Sequence, residues 1–263
     1  MNQFAAPRKS LGQNFLQDPN IINKIVSSLG LKANDVALEI GPGRGALTEL
    51  MLPLAKSLHL VEYDRDLVAY WQDRALSAES LSVHGVDILK FDLTDIVDAE
   101  QQKIKVIGNL PYNISSPVLF HLMKYADQIE SQVVMLQKEV VQRMSASPGG
   151  KDYGRLSVML QQRYAIEYLF TVPPGAFFPP PKVESAIARL TPLAEVLHPV
   201  DSHADFAQLV KQAFSQRRKT LRNTLKGMLS AEQIESVGVT PSVRAETLSV
   251  SEFAALANCY TAG

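Results

Sequence analysis

Residues 35–52 read DVALEIGPGRGALTELML, and this stretch decides which class of fold the chain adopts. Its first part, DVALEI (35–40), is a short apolar run typical of a buried β-strand. Its last part, ALTELML (46–52), has helical character. The segment GPGRG (41–45) lies between them, and glycine permits the positive φ angles of a tight turn. The stretch therefore predicts a strand, a turn and a helix, the repeating unit of α/β folds.

Further apolar runs with strand character follow this unit, and helical patterns separate most of the first five. Strands that alternate with helices indicate a parallel sheet covered on both faces. The last two runs are joined instead by the proline-rich segment VPPGAFFPPPKVE (172–184), which needs no helix, so we expect an antiparallel pair. The seven predicted strands are 35–40, 57–62, 81–87, 103–109, 131–137, 164–172 and 185–190.

The two ends of the chain carry helical patterns. Asp18 and Pro19 suit the N-cap and the first position of a helix that would end at Gly30. After residue 201 the patterns are helical, with no strand. We therefore place a boundary near 192–200, and we predict an α/β domain over 1–195 and a small all-helical domain over 196–263.

Composition excludes several classes of protein. Hydrophobic residues make up 46% of the 263 residues and charged residues 20%, which is ordinary for a soluble protein. No apolar run approaches the roughly 18 residues that span a membrane, and the first residues lack the apolar core of a secretory signal. The single cysteine, Cys259, allows no internal disulfide, and the five histidines lack the spacing of metal ligands. We expect a cytoplasmic protein without a metal site.

The glycine cluster suggests a ligand without settling its identity. The spacing G-x-G-x-G of residues 41–45 differs from the G-x-G-x-x-G of dinucleotide-binding proteins and from the phosphate loop of nucleotide-hydrolysing enzymes. A ligand with a nucleoside but no phosphate fits this difference. A plain tight turn is the alternative, and the glycines alone do not decide between the two.

Two acidic residues strengthen the ligand interpretation. Glu62 ends the second predicted strand, 21 residues after Gly41, where a carboxylate can accept both ribose hydroxyls. Asp87 ends the third, where a carboxylate can accept from an adenine amino group. Either acid alone could be a solvated loop charge. Because ligands of such sheets bind at the carboxyl ends of the strands, the combination predicts a cofactor that contains adenosine.

The fourth predicted strand runs into GNLPYNIS (108–115), and with this motif the chain resembles class I S-adenosylmethionine-dependent methyltransferases. More closely, it resembles the rRNA adenine N6-dimethyltransferase family, over nearly its whole length. The motifs that carry the resemblance are GQNFL (12–16), LEIGPGRGALT (38–48), GNLPYNISSPVL (108–119), QKEVVQRM (137–144), YGRLSV (153–158), PPGAFFPPPKVES (173–185) and FSQRRKTLRNTL (214–225).

The resemblance implies a fold, a cofactor and a substrate. The fold would be a Rossmann-like, seven-stranded, mostly parallel sheet with a helical C-terminal domain that binds rRNA. The balance of motifs is most similar to the bacterial small-subunit branch, which dimethylates two adjacent adenosines near the 3′ end of 16S rRNA, and it implies a monomer. The residues that would border S-adenosylmethionine are Asn14, Leu16, Gly41, Gly43, Glu62, Asp87 and Asn109.

The motif NLPY suits chemistry on an adenine amino group, whose lone pair is delocalised into the ring. The Asn109 side-chain oxygen and the Leu110 carbonyl could accept the two N6 hydrogens and aim the lone pair. Pro111 has a fixed φ and no N–H, so it stiffens the loop, and the Tyr112 ring could stack on the base. The family pattern favours Phe177 as the second stacking wall; the alternative is a core residue beside a proline-rich connector.

A run of cations lies near the C-terminus. Residues 214–227 contain five positive charges and no acid, and at 3.6 residues per turn they predict an amphipathic helix with a basic side. A solvated helix face is the usual role of such a run, but closely spaced positive charges repel one another unless a polyanion is present. We expect contact with RNA phosphates from Arg217, Arg218, Lys219, Arg222 and Lys226.

Three alternatives remain open from the sequence. The first is adenine N6 methylation of large-subunit rRNA, as in the related resistance enzymes, or of DNA, since the pocket would be nearly identical. The second is a ribosome-assembly factor that mainly binds RNA. The third is a nucleotide-dependent dehydrogenase, which the glycine spacing disfavours.

Overall fold

The structure is a computed structural model that describes residues 7–8, 13–195 and 197–262. Gly12, the first residue of the GQNFL motif, and residue 196, the first of the predicted helical domain, lie outside the described residues. Among the residues that are described, no helix is long and apolar enough to cross a membrane.

The core of the fold is a mixed, mostly parallel sheet of seven strands, which confirms the predicted fold class. The strands are β1 Phe15–Leu16, β2 Val36–Ile40, β3 Ser57–Glu62, β4 Leu81–Gly85, β5 Ile104–Asn109, β6 Ile129–Gln137, β7 Tyr164–Val172, β8 Phe177–Phe178 and β9 Ser185–Pro192. The order in the sheet is β4-β3-β2-β5-β6-β9-β7, and a separate two-stranded ribbon pairs β1 with β8. The five neighbours β4, β3, β2, β5 and β6 pair parallel, and β9 pairs antiparallel with β6.

The strand order reverses next to β2, and this reversal creates the site described below. From β2 the chain builds outward through β3 and β4, and then returns to place β5 on the other side of β2. Ile40 is consequently level with Val61 on one side and with Gly108 on the other. In parallel sheets, such a switch point opens a crevice beyond the carboxyl ends of the central strands.

The first helix forms as its sequence predicts. It begins after Asp18, whose side chain accepts from the N–H groups of Asn20 and Ile21, and it ends at Gly30 in the left-handed conformation. The helices are α1 Pro19–Leu29, α2 Thr48–Met51, α3 Arg65–Ala75, α4 Thr94–Glu100, α5 Ser115–Met123, α6 Lys138–Met144, α7 Arg155–Gln161, α8 His203–Ala213, α9 Leu221–Thr224, α10 Ala231–Ser236 and α11 Val250–Ala262.

The chain divides into two compact units. One comprises the residues up to Val141 together with Glu167–Pro192, and the other comprises Gln142–Ile166 together with the residues from Leu193 onward. Within the second unit α7 packs against α8 and α11, and the Tyr153 hydroxyl donates to the Leu248 carbonyl oxygen at 2.8 Å. These contacts join segments far apart in sequence. The domain boundary predicted between residues 195 and 196 stays a prediction.

The predicted basic helix over 214–227 is wrong. Helix α8 ends at Ala213, and residues 214–219 form turns and bends. Helix α9 is a single turn that starts after Thr220, whose backbone is extended. In a continuous helix Arg218 would face Arg222, and Arg222 would face Lys226, and like charges four residues apart destabilise a helix. Leu221 and Leu225, which belong to the apolar side of the predicted amphipathic helix, are nevertheless fully buried.

Gly108 offers a test of the strand packing at the switch point. A Cβ at this residue would lie 2.8 Å from the Ile40 carbonyl oxygen and 3.1 Å from its Cβ, so Gly108→Ala should wedge β5 away from β2. We expect a loss of about 1–3 kcal/mol of unfolding free energy by calorimetry or denaturant titration. Gly175→Ala, which meets nothing within 4 Å, is the control. Equal stability of the two variants would contradict the packing described.

Candidate active site

A cavity of about 320 Å³ opens at the carboxyl ends of the central strands. Its size falls in the range of small-molecule sites. The structure brings most of the predicted cofactor and catalytic residues to this cavity, although each residue's role stays a prediction. Those that line it are Asn14, Leu16, Gly41, Gly43, Glu62, Asp87, Asn109, Leu110, Pro111 and Tyr112; Phe177 is not among the lining residues.

The glycine turn forms one wall of the cavity. Gly41, Gly43 and Gly45 have φ angles of 67°, 55° and 87°, which only glycine adopts readily. Trp71 of α3 anchors the turn, because its indole N–H donates to the Gly43 carbonyl oxygen at 3.0 Å. A Cβ on Gly45 would lie 2.7 Å from the same indole ring. The sequence offers no signal for this role, since a tryptophan in a helix ordinarily indicates core.

Glu62 is held by backbone donors. Its Oε1 accepts from the N–H groups of Tyr63 at 2.8 Å and Asp64 at 2.9 Å, and its Oε2 accepts from Gly43 at 3.3 Å. Burial raises the pKa of this carboxyl, and the backbone hydrogen bonds partly offset that rise. The long bond to Gly43 leaves Oε2 well suited to accept from a ligand hydroxyl, so the carboxylate fits the diol of a ribose.

Asp87 lines the cavity among apolar residues. Its Oδ1 accepts from the Leu89 N–H at 3.0 Å, which fixes the carboxylate at the start of a short 3-10 turn. Val86, Ile88 and Leu89 line the cavity beside it. One oriented acceptor between apolar walls suits a flat heterocycle that carries an amino group. The two carboxylate acceptors therefore fit an adenosine-containing cofactor.

Glu39 is a cavity residue that the sequence analysis missed. It lies in β2, is 1% exposed, and accepts from the Thr48 hydroxyl at 2.6 Å. Burial, reinforced by the like charge of Glu62, raises the pKa of Glu39 to about 8, so its carboxyl is largely protonated at neutral pH. The sequence signal that could have identified Glu39 is a carboxyl inside an otherwise apolar strand, just before the glycine turn.

Asn109 has a fixed amide orientation. Its Nδ2 donates to the Asn14 carbonyl oxygen at 3.1 Å, so the amide oxygen is the atom that serves as acceptor. The next residue is anchored as well, because the Leu110 N–H donates to the Met135 carbonyl oxygen at 3.1 Å in β6. These bonds place Asn14, predicted only from the family resemblance, beside Asn109, and they keep the loop rigid.

The two aromatic residues proposed to stack on a base lie in different surroundings. Tyr112 is half-buried at the cavity, and its hydroxyl lies 2.7 Å from the Ser185 hydroxyl. Phe177 is 4% exposed, pairs with Leu16 and packs in the hydrophobic core, whereas Phe178 is 52% exposed. The position of Phe177 matches the core alternative, and its stacking role stays a prediction.

The basic residues of the second unit differ in their partners. Arg217 is tied down, since its Nε lies 3.1 Å from Glu246 Oε2 and its Nη2 donates to the Lys151 carbonyl oxygen at 2.7 Å. The Arg217 side chain is nevertheless 66% exposed, and those of Arg218, Lys219, Arg222 and Lys226 are exposed as well. All five suit contact with a polyanion, and Arg217 has a local structural role in addition.

Comparison with known proteins gives one consistent result. A family model described as ribosomal RNA adenine dimethylase matches residues 5–262. The chain is 50% identical over 252 residues to the ribosomal RNA small subunit methyltransferase A of Laribacter hongkongensis, which covers 96% of this chain and 95% of that protein. The protein of the same name from Alcanivorax borkumensis is 49% identical over 251 residues, or 95% of this chain and 89% of its own.

Solved structures agree on the fold. A dimethyladenosine transferase from Plasmodium falciparum superposes with a TM-score of 0.80 at 27% identity, covering 92% of this chain and 95% of its own. The 23S rRNA methyltransferase ErmE superposes with a TM-score of 0.72 at 24% identity, covering 94% of this chain and all of its own. The second match supports the fold alone.

The raised pKa of Glu39 predicts a pH dependence of stability. Between 4.5 and about 8 the folded state holds a proton on Glu39 that the unfolded state has released, so stability falls as pH rises through this window. Glu39→Gln keeps the shape without the titration. Its stability relative to the wild type should therefore increase from pH 5 to pH 8 in thermal unfolding. The exposed Glu79→Gln is the control, and a pH-independent difference for Glu39→Gln would contradict the prediction.

Proposed function

The chain belongs to the ribosomal RNA adenine dimethylase family, and we propose that it dimethylates N6 of two adjacent adenosines in a hairpin near the 3′ end of 16S rRNA. The methyl donor is S-adenosylmethionine, and the substrate is the small ribosomal subunit during its biogenesis. The observation that carries the proposal is a single cavity in which Glu62 and Asp87 converge with Asn109 and Tyr112. The names of relatives near 50% identity support the choice of subunit.

The residues of the cavity fit the cofactor in kind and position. Glu62 would accept the ribose hydroxyls, Asp87 would accept from the adenine amino group, and the glycine turn would let the backbone approach the ligand closely. Bound there, S-adenosylmethionine supplies an electrophilic methyl group on a positively charged sulfur. The protonated Glu39 keeps this part of the cavity free of a second full negative charge beside Glu62.

Asn109 and Leu110 perform the positioning. Adenine N6 is a poor nucleophile, so its lone pair has to be aimed at the methyl group. The Asn109 side-chain oxygen and the Leu110 carbonyl oxygen would accept the two N6 hydrogens and set that direction, and such orientation is a large source of rate enhancement. Pro111 stiffens the loop between them and Tyr112.

Tyr112 supplies the electrostatic part of the mechanism. N6 gains positive charge as the methyl transfers, and the π face of the ring lowers the energy of that charge. The base must leave its helical stack to reach the cavity. After the first transfer only one N6 hydrogen remains, so one acceptor loses its donor. The chain need not provide a general base, because the protonated product amine is acidic enough to release its proton to water.

The exposed cations of the second unit are the proposed RNA contacts. The side chains that would neutralise phosphates are those of Arg217, Arg218, Lys219, Arg222 and Lys226. Structured RNA is recognised largely through its shape and backbone. A monomer acting in the cytoplasm, expected from the sequence, is part of the same proposal.

Two alternatives are outcomes of the test. The fold similarity to a 23S rRNA methyltransferase does not separate small-subunit from large-subunit targets, because the catalytic motif would serve either. Incorporation of labelled methyl groups into small-subunit particles that lack the modification, followed by mapping, tests the target. Methylation of naked large-subunit RNA without methylation of small-subunit particles would contradict the proposal.

Asn109→Ala separates catalysis from binding. The variant loses the side-chain acceptor for N6, so methyl transfer should fall by at least about 100-fold, while particle binding is retained. Asn23→Ala, an exposed amide in α1, is the control. Full activity of Asn109→Ala would overturn the mechanism. Particle binding by an inactive wild-type protein would instead favour an assembly factor.

The salt dependence of particle binding tests the basic contacts. Arg218→Ala combined with Lys219→Ala removes up to two phosphate contacts, which should weaken binding and reduce the slope of log K against log salt by about 1–2. Lys32→Ala combined with Lys103→Ala removes the same charge from exposed residues before β2 and β5 and serves as the control. An equal loss in both pairs would reveal a general charge effect and contradict the assigned surface.

A further inference from the structure

We propose that Ser185 is a positioning residue for methyl transfer, because its buried hydroxyl holds the ring of Tyr112 in the position from which that ring meets the target base. The two hydroxyl oxygens lie 2.7 Å apart, the typical length of a hydrogen bond between hydroxyl groups. Ser185 is 0% exposed, although nothing in a strand requires a hydroxyl there. The inference rests on the proposed function and extends it to a residue outside the cavity lining.

Tyr112 needs an external restraint. It lies in turn structure after Pro111, and near it the backbone is held by the Ile114 N–H to the Pro111 carbonyl at 3.1 Å and by the Ser115 hydroxyl to the Tyr112 carbonyl at 3.1 Å. Neither bond acts on the ring. The phenol oxygen is the side-chain atom farthest from the backbone, so rotation about χ1 displaces it most, and the contact with Ser185 holds the ring against that rotation.

Ser185 is a rigid anchor for this contact. It is the first residue of β9 and pairs with Gln137, the last residue of β6. Lys138, which follows Gln137, also fixes the start of β9, because its N–H donates to the Glu184 carbonyl oxygen at 3.0 Å. The Lys138 ammonium also lies 2.8 Å from the Glu184 carboxylate.

Strand β6 also positions the two acceptors proposed for N6, on Asn109 and Leu110. Asn109 pairs with Met135 of β6, and the Leu110 N–H donates to the Met135 carbonyl oxygen. Met135 and Gln137 are two residues apart, so they lie on the same face of β6. Strand β6 therefore positions the acceptors for N6 directly and the Tyr112 ring through Ser185. The reaction requires a constant distance between these acceptors and the Tyr112 ring.

The chemistry of the residue favours this role over simple filling of the core. A buried hydroxyl costs free energy unless it is hydrogen-bonded, and alanine would fill the position without that cost. The hydroxyl is therefore matched to Tyr112. Burial also raises the pKa of Tyr112, which keeps its phenol protonated and able to share the hydrogen bond.

The second methyl transfer should depend on Ser185 more than the first. Monomethylated N6 has one hydrogen, so it engages only one of the two acceptors, and stacking on Tyr112 carries more of the positioning. Loosening the ring should therefore shift the product from dimethyladenosine toward N6-monomethyladenosine. A purely structural role would lower the amount of folded enzyme without changing this ratio.

Ser185→Ala is the test, with nucleoside mass spectrometry of methylated small-subunit particles as the readout. We expect kcat to fall about five- to tenfold, corresponding to the loss of one hydrogen bond, with unchanged cofactor affinity and a larger share of monomethyl product. Ser185→Thr keeps a hydroxyl, so it should restore both kcat and the wild-type product ratio. Ser28→Ala removes a hydroxyl that donates to the Lys24 carbonyl oxygen in α1, and it is the control.

Tyr112→Phe keeps the proposal testable if Ser185→Ala folds poorly, because it removes the other partner of the same bond. Tyr112→Phe should reproduce the kinetic change, and the double variant should lose no more than either single one. Full kcat and an unchanged product ratio in Tyr112→Phe, or additive losses in the double variant, would overturn the inference. If the wild-type enzyme methylates no small-subunit particle, the proposed function fails instead.

Discussion

The parallel pairing of β2 with β3 on one side and β5 on the other is the constraint on which the rest of the molecule depends. It brings the ends of three strands to one edge of the sheet, and each strand end contributes a different group. β2 ends in the glycine turn, β3 in Glu62 and β5 in Asn109. Glu62, the proposed acceptor for the cofactor, and Asn109, the proposed acceptor for the target base, thereby line one cavity, although 46 residues separate them in sequence.

Rigidity at this edge comes from hydrogen bonds with the backbone. Glu62 accepts from three N–H groups, and Asn109 donates to the Asn14 carbonyl oxygen. Trp71 holds the glycine turn through the Gly43 carbonyl. Groups that are fixed before the ligands arrive need no reorganisation during the reaction, which is the condition for electrostatic and orientational catalysis.

The sequence predicts the parts of this account that depend on local pattern. Strand runs, the cap at Asp18 and the three glycines follow from composition and spacing, and family motifs add Asn14. What it misses depends on tertiary packing. The pKa of Glu39 depends on burial and on Glu62 of the next strand, and Ser185 contacts Tyr112, which lies 73 residues earlier. The basic helix fails because a period of 3.6 does not reveal that α8 ends at Ala213 and that a turn follows.

A crystal structure with S-adenosylhomocysteine bound tests the central claim most directly, namely that one strand edge places cofactor and target base together. The account predicts ribose hydroxyls on Glu62, the adenine amino group on Asp87, and the sulfur facing Asn109 and Tyr112. A cofactor bound away from Glu62, or a sulfur turned away from Asn109, would contradict it.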